Sequence, residues 1–218
     1  MTEKQIVEKV KKYARGKLEG EPTGHDWWHT FRVWQLSKKI AKKEGGDFFI
    51  IELAALLHDV ADWKFTKGSE SQGLEEIKKL LRNSKVEHDD ILEVCNIIKN
   101  ISFKGAGVES KMKIKEGKIV QDADRLDVLG AIGVARVFAY GGKVGRPIYD
   151  PNIKPRFHKS FEEYKKYGNS SSIDHFFEKE IFLKDLMNTK TARKIAEKRH
   201  KFIEQFLDRF FKEWEGKD

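Results

Sequence analysis

The chain has 218 residues, one cysteine and a formal net charge of +8, with 36% charged and 39% hydrophobic residues. Such a length buries a core without disulfides, and Cys95 has no second cysteine to pair with, which fits a reducing, cytoplasmic setting. No apolar run is long enough to cross a membrane, MTEKQIVEKVKKYARGKLEG lacks the continuous apolar stretch of a signal peptide, and the basic excess favours anionic partners such as nucleotides, phosphate esters or nucleic acid.

Residues 3–17 form the first predicted helix, amphipathic with Ile6, Val7 and Val10 inward. Residues 26–44 follow with Val33, Leu36 and Ile40 at spacings of three and four, ended by Gly45-Gly46. The segment 47–60 is apolar nearly all round, as a central buried helix is. Helices are expected over 70–82 and 87–100, separated by the Asn83-Ser84 turn signal. Cys95, in EVCNIIKNI, reads as a small core residue. Residues 117–140 read as one helix or two, closed by Gly141-Gly142, with a possible short strand pair around 111–120. The stretch 141–172, rich in Gly, Pro, Asn and Ser, reads as a long loop of the kind that serves as a lid. A last helix over about 189–215 carries Phe202, Ile203, Phe206, Leu207, Phe210, Phe211 and Trp214 on one stripe, read as core packing. The fold class expected is all-α.

Three stretches concentrate histidine and aspartate beside apolar residues. In Gly24-His25-Asp26-Trp27-Trp28-His29, the two histidines share a face if both are helical; alternatively His25 precedes the helix and Asp26 sits near its N-cap. His58-Asp59 ends the most apolar helix, where two ionisable groups are costly unless paired. A divalent cation pairs with both, since imidazole and carboxylate suit Mn, Fe, Co, Ni or Zn. The third stretch, Asp122-Ala123-Asp124-Arg125-Leu126-Asp127, offers three carboxylates. Taken singly, a buried histidine is more often a hydrogen-bonded core residue, and Asp124-Arg125 a surface pair.

The series His29, then His58-Asp59, then Asp124 within Ala-Asp-Arg-Leu resembles the HD superfamily of metal-dependent phosphohydrolases. GHDWWHTFRVWQLSKKIAKKEGGD, ELAALLHDVADWKF, IVQDADRLDVLGAIGVARVFAYGG and NSSSIDHFFEKEIFLKDLMNTKTARKIAEKRHKFIEQFL are similar to its small bacterial and archaeal branch of stand-alone nucleotide hydrolases, over roughly residues 20–210. The resemblance implies one HD-type domain over 1–218: a helical core at about 20–140, the 141–172 loop or lid, and C-terminal helices over 173–218. It implies His29, His58, Asp59 and Asp124 as ligands of one divalent metal ion (Mn, Co, Ni, Fe or Mg). Two alternatives stay open, Asp122 or Asp127 in place of Asp124 and His25 as an assistant, although the family pattern favours His29. Branches with more metals carry extra histidines between the HD pair and the last aspartate; here only His88 lies there, in an expected loop.

The mechanism so implied is attack on phosphorus by a metal-activated water, with Asp62 or Asp127 orienting the water or taking its proton. Arg32, Lys64, Arg125, Lys104, His175 and Lys179 are the candidate phosphate contacts, and Trp27, Trp28 and Trp63 can flank a base. The GGKVGR stretch lacks the GK[ST] ending of a phosphate loop. The reaction expected is nucleoside triphosphate to monophosphate plus pyrophosphate, the alternative being a monophosphate phosphatase. A different class, a basic nucleic-acid-binding or signalling module, is disfavoured by evenly spread charge. The expected partner is a small nucleotide or phosphate ester, with no membrane or nucleic-acid partner, and the chain acts as monomer or homodimer.

Overall fold

The structure, a computed structural model, describes residues 1–22, 24–60, 70–103, 108, 110–156 and 170–217. Among them, every regular element is helical. Helices α1 (Glu3–Leu18), α2 (Trp27–Glu44), α3 (Phe48–Leu57), α4 (Glu70–Arg82), α5 (His88–Ile101), α6 (Lys115–Asp127) and α7 (Gly130–Lys143) precede a short α8 (Ser172–Glu178), a 3-10 turn at Glu180–Phe182, and the long α9 (Lys190–Trp214). None is long and apolar enough to cross a membrane. The chain forms two compact units, one built on Met1–Glu21, His25–Ser102 and Ser110–Ala123, the other on Pro22–Gly24, Phe103–Glu109 and Asp124–Asp218.

In the first unit α3 lies against α1, α2 and α5. Its residues Ile51, Leu53, Ala54, Ala55, Leu56 and Leu57 are fully buried. Burying each large aliphatic side chain stabilises by roughly 1.5–3 kcal/mol, so this helix is the rigid rod of the unit. Its start is fixed by Asp47, whose carboxylate accepts from the backbone N–H of Phe49 (2.8 Å) and Ile50 (3.2 Å). The start of α1 is closed by a reciprocal Thr2–Gln5 capping box, and α2 stops at Gly45 in the left-handed region (φ 78°). Gln121 of α6 donates to the carbonyls of Asn100 and Ile101 (3.3 Å each), satisfying the open end of α5. Cys95 is buried, as expected, and burial pushes its thiol pKa up.

In the second unit α7 packs against α8 and α9. Phe138, Phe176 and Phe206 form its aromatic centre, with ring centroids 5.8–6.2 Å apart. The 117–140 region resolves into two helices, broken where Gly130 takes φ 74° and where a Cβ would meet the Arg199 stem at 3.2 Å. The Arg199 guanidinium donates to the Leu126 carbonyl at the end of α6.

Several expectations are corrected. No strand pair forms at 111–120: residues 111–114 are irregular, and Lys115 begins α6, whose Ile119 and Val120 are buried. Gly141-Gly142 do not close α7, which runs on to Lys143. Gly141 is needed for room instead, since a Cβ there would lie 2.2 Å from Ser172 Oγ. His88 is not in a loop but opens α5, where it is exposed. Residues 144–156 are irregular, and Pro147 and Ile148 are tied by their carbonyls to the N–H groups of Ser172 and Ile173 (2.9 and 3.0 Å); the rest of the expected lid, 157–169, lies outside the described residues. The α9 stripe is core at Ile203 and Leu207, but Phe202 and Trp214 are 43% and 52% exposed.

Two glycine substitutions test this packing in opposite directions. Gly16, exposed within α1, has open space around it, so Gly16→Ala raises stability by roughly 0.5–1 kcal/mol. A Cβ at Gly133 would lie 2.2 Å from the Val128 carbonyl oxygen, so Gly133→Ala lowers it by roughly 1–3 kcal/mol. Urea-unfolding midpoints of the two variants, expected on opposite sides of wild type, check both.

Candidate metal centre

The ends of α2 and α3 build the centre. Asp26 caps α2, its carboxylate accepting from the His29 backbone N–H at 2.8 Å. His25 therefore lies before the helix, while His29 sits in its first turn, fully buried. At the end of α3 the His58 ring donates from Nδ1 to the Ala55 carbonyl (2.8 Å). That bond fixes the tautomer and turns the Nε2 lone pair toward His29, whose own Nε2 is 3.1 Å away.

Asp59 completes the cluster. Its Oδ2 is 3.0 Å from His25 Nδ1 and 3.2 Å from His29 Nε2, and its Oδ1 is 3.5 Å from His58 Nε2. Burial pushes the Asp59 carboxyl pKa up, but the facing imidazoles of His58 and His25, with hydrogen bonds from His25 and His29, outweigh it. The result lies well below the usual carboxylate range, so Asp59 stays an anion in a buried setting.

Donor atoms of His25, His29 and Asp59 lie within 4.8 Å of one another. Spacings near 3 Å match the edge of an octahedron with metal–ligand bonds of about 2.1 Å. Imidazoles and a carboxylate are also the donor chemistry of Mn, Fe, Co, Ni and Zn. The residues present fit a divalent cation.

Of the sequence-derived ligands, His29, His58 and Asp59 are thus brought together, and His25 joins them through Asp59. Asp124 is half-buried in the last turn of α6, between the buried Asp122 and Asp127. Asp127, a candidate base, accepts from Arg136 Nη1 at 3.2 Å, and both are buried. Arg125 is turned inward and donates to the Leu186 carbonyl. Arg32 is half-buried on α2, one turn after His29. Asp62, Lys64, Trp63 and Lys104 lie outside the described residues. Trp27 is buried, whereas Trp28 is 57% exposed.

His175 and Lys179 stay one turn apart at the end of α8, the Lys179 backbone N–H donating to the His175 carbonyl at 3.0 Å. His175 Nδ1 lies 2.9 Å from Glu180 Oε2, both buried, and the Lys179 ammonium lies 5.4 Å from the Phe103 ring centroid. Burial pushes the Glu180 carboxyl up, but the His175 imidazole, its hydrogen bond and nearby Lys179 outweigh it and hold the pKa below the ordinary value. The sequence reading missed Glu180 and Arg136: the first lies past a helix end, and the second bears no local signal.

The chain is similar to known proteins. A family model of the HD domain matches residues 27–129. The Bacillus subtilis protein YpgQ is 37% identical across 100% of this chain and 98% of its own length. A crystal structure of YpgQ in complex with ADP is similar with a TM-score of 0.76 at 34% identity, over 97% of this chain and 100% of that one. A Lactobacillus plantarum crystal structure reaches a TM-score of 0.88 at 36% identity, over 99% and 100%. An HD-superfamily hydrolase from Bacillus thuringiensis reaches 0.76 at 43% identity, over 98% and 99%. The chain belongs to the HD superfamily, and it is a metal-dependent phosphohydrolase.

The depressed Glu180 pKa sets a pH dependence. Its ionised form contributes stability that is fully present above the unfolded glutamate value of about 4.3 and is lost as pH falls through the lower folded value. Glu180→Gln is therefore less stable than wild type at pH 7, and the gap narrows on acidification below about pH 4.3. Urea unfolding of both proteins across that range measures it.

Proposed function

We propose that this phosphohydrolase acts on nucleotides, releasing pyrophosphate from a nucleoside triphosphate to leave the monophosphate. One divalent metal ion (Mn, Co, Ni, Fe or Mg) is held by His29, His58, Asp59 and Asp124. The reading rests on one observation: two buried imidazoles and a buried, ionised carboxylate converge at about 3 Å spacings. Asp124, delivered in the final turn of α6, is the fourth ligand by its place in the His…His-Asp…Asp series. A polyanionic substrate is supported by the net charge of +8, and a nucleotide by the ADP complex of the relative YpgQ.

When bound, the cation acidifies water and polarises a phosphate oxygen. The protein's own part is orientation and charge. The Ala55 carbonyl holds the His58 tautomer, Asp26 fixes the turn that presents His29, and Asp59 supplies the negative charge. Because Asp127 is occupied by Arg136, Asp62 is the better candidate to take the proton from the attacking water. Arg32, Lys64, Lys104, Arg125, His175 and Lys179 are the cations available to the phosphates, with Arg32 and Lys64 foremost. A cytoplasmic location is supported by the single cysteine, Cys95, which has no second cysteine in the chain to pair with.

The test is incubation with Mn²⁺ and a panel of nucleoside tri- and monophosphates, with phosphate and pyrophosphate quantified separately. Pyrophosphate from triphosphates is the expected product, and phosphate from monophosphates alone would select the phosphatase reading. His58→Ala lowers kcat/KM at least about 100-fold; wild-type activity in that variant would exclude the site.

A further inference from the structure

We infer that Arg136 is a positioning residue for the metal-binding carboxylate, acting through the loop that carries His25. The inference rests on the metal-site reading above and extends it to a residue on α7. Arg136 is buried, and its guanidinium makes two distinct donations. Nη1 donates to Asp127 Oδ2 at 3.2 Å, and Nε donates to the Gly24 carbonyl at 2.7 Å. Gly24 is joined by a peptide bond to His25, and His25 Nδ1 lies 3.0 Å from Asp59 Oδ2.

The backbone at Gly24 is shaped to this contact. It has φ 81°, and a Cβ built there would meet Arg136 Cγ at 3.2 Å and Nε at 3.4 Å. A side chain is therefore disfavoured twice, by backbone conformation and by the arginine stem. The short, specific donation to the Gly24 carbonyl fixes where His25 begins, one residue before the Asp26 cap starts α2.

Among the described residues, His25 and His29 both lie within hydrogen-bonding distance of Asp59 Oδ2, His29 through Nε2 at 3.2 Å. Groups that hydrogen-bond a ligating carboxylate set its orientation, and losing one typically weakens metal binding about 10- to 100-fold. The guanidinium is suited to the task because its fork reaches an anion and a carbonyl at once, which a lysine ammonium on a flexible stem does not do in the same geometry. Asp127 keeps that fork aligned and neutralised. It lies three residues beyond Asp124 on α6, so the same arginine grips the helix bearing the proposed fourth ligand.

The experiment measures Mn²⁺ binding by calorimetry or by the paramagnetic resonance of free Mn²⁺, with no substrate present, alongside urea unfolding of the metal-free protein. Arg136→Lys keeps a cation beside Asp127 and loses the Gly24 donation. The expected result is an unfolding midpoint close to wild type with Mn²⁺ affinity about tenfold weaker. Gly24→Ala, which disturbs the other partner, weakens affinity in the same direction. His25→Asn also weakens it, and adding Arg136→Lys to His25→Asn produces no further loss, because both changes interrupt one line of contacts.

Wild-type Mn²⁺ affinity in both Arg136→Lys and Gly24→Ala overturns the inference. So does a double variant whose loss is the product of the two single losses. A wild-type protein that binds no Mn²⁺ overturns the metal-site reading and this inference together, a result distinct from either of the former.

Discussion

A buried carboxylate facing three imidazoles is the interaction on which the functional part of this structure depends. Asp59 tolerates its burial because the rings of His25 and His29 lie within hydrogen-bonding distance of its Oδ2. Removing such a group from water with no partner costs several kcal/mol. The arrangement therefore demands either protons on the rings or a cation among them. The His58 tautomer, with Nδ1 committed to the Ala55 carbonyl, leaves Nε2 as an acceptor and favours the cation.

What holds that cluster is ordinary packing used rigidly. Apart from Glu52, α3 is apolar and its second half is fully buried, so its end cannot rotate without opening the core. His58 and Asp59 follow directly from that end. His29 is placed by a different device, the Asp26 cap, which sets the first turn of α2 by one short hydrogen bond. A hydrophobic rod and a helix cap thus deliver the same chemistry from two directions.

The second unit uses its buried charges differently. Asp127–Arg136, His175–Glu180 and Ser170–Glu178 are paired polar groups inside it, and Arg125 and Arg199 spend donors on the carbonyls of Leu186 and Leu126. Arg125 and His175, both candidate phosphate contacts, also satisfy a backbone carbonyl and a carboxylate here. Each such pair is costly to halve, since the abandoned partner stays buried.

The helices were legible because their signals are local. Apolar residues three and four apart, Asp26 at one start and Gly45 at a stop all act within a turn or two of chain. The glycines at 141 and 142 misled for the same reason. Read locally they are terminators, but Gly141 is small because Ser172 lies against it, and no window of sequence contains that fact. The identities of His29, His58 and Asp59 were legible as a motif. The part played by His25 was not, since its partner stands 34 residues away and the choice between helix and pre-helix turned on the Asp26 cap.

The amino-acid sequence alone therefore determined the all-helical class, the placing of most helices and the chemical types gathered for a metal, because periodicity, capping and composition are properties of neighbouring residues. Only the tertiary structure decided which nitrogen faces which oxygen, that Asp127 is taken by Arg136, and that Arg136 reaches a carbonyl 112 residues earlier in the chain. Those contacts follow from how packed helices bring distant backbone together, and a pairing at such separation leaves no trace in the spacing of residues along the chain.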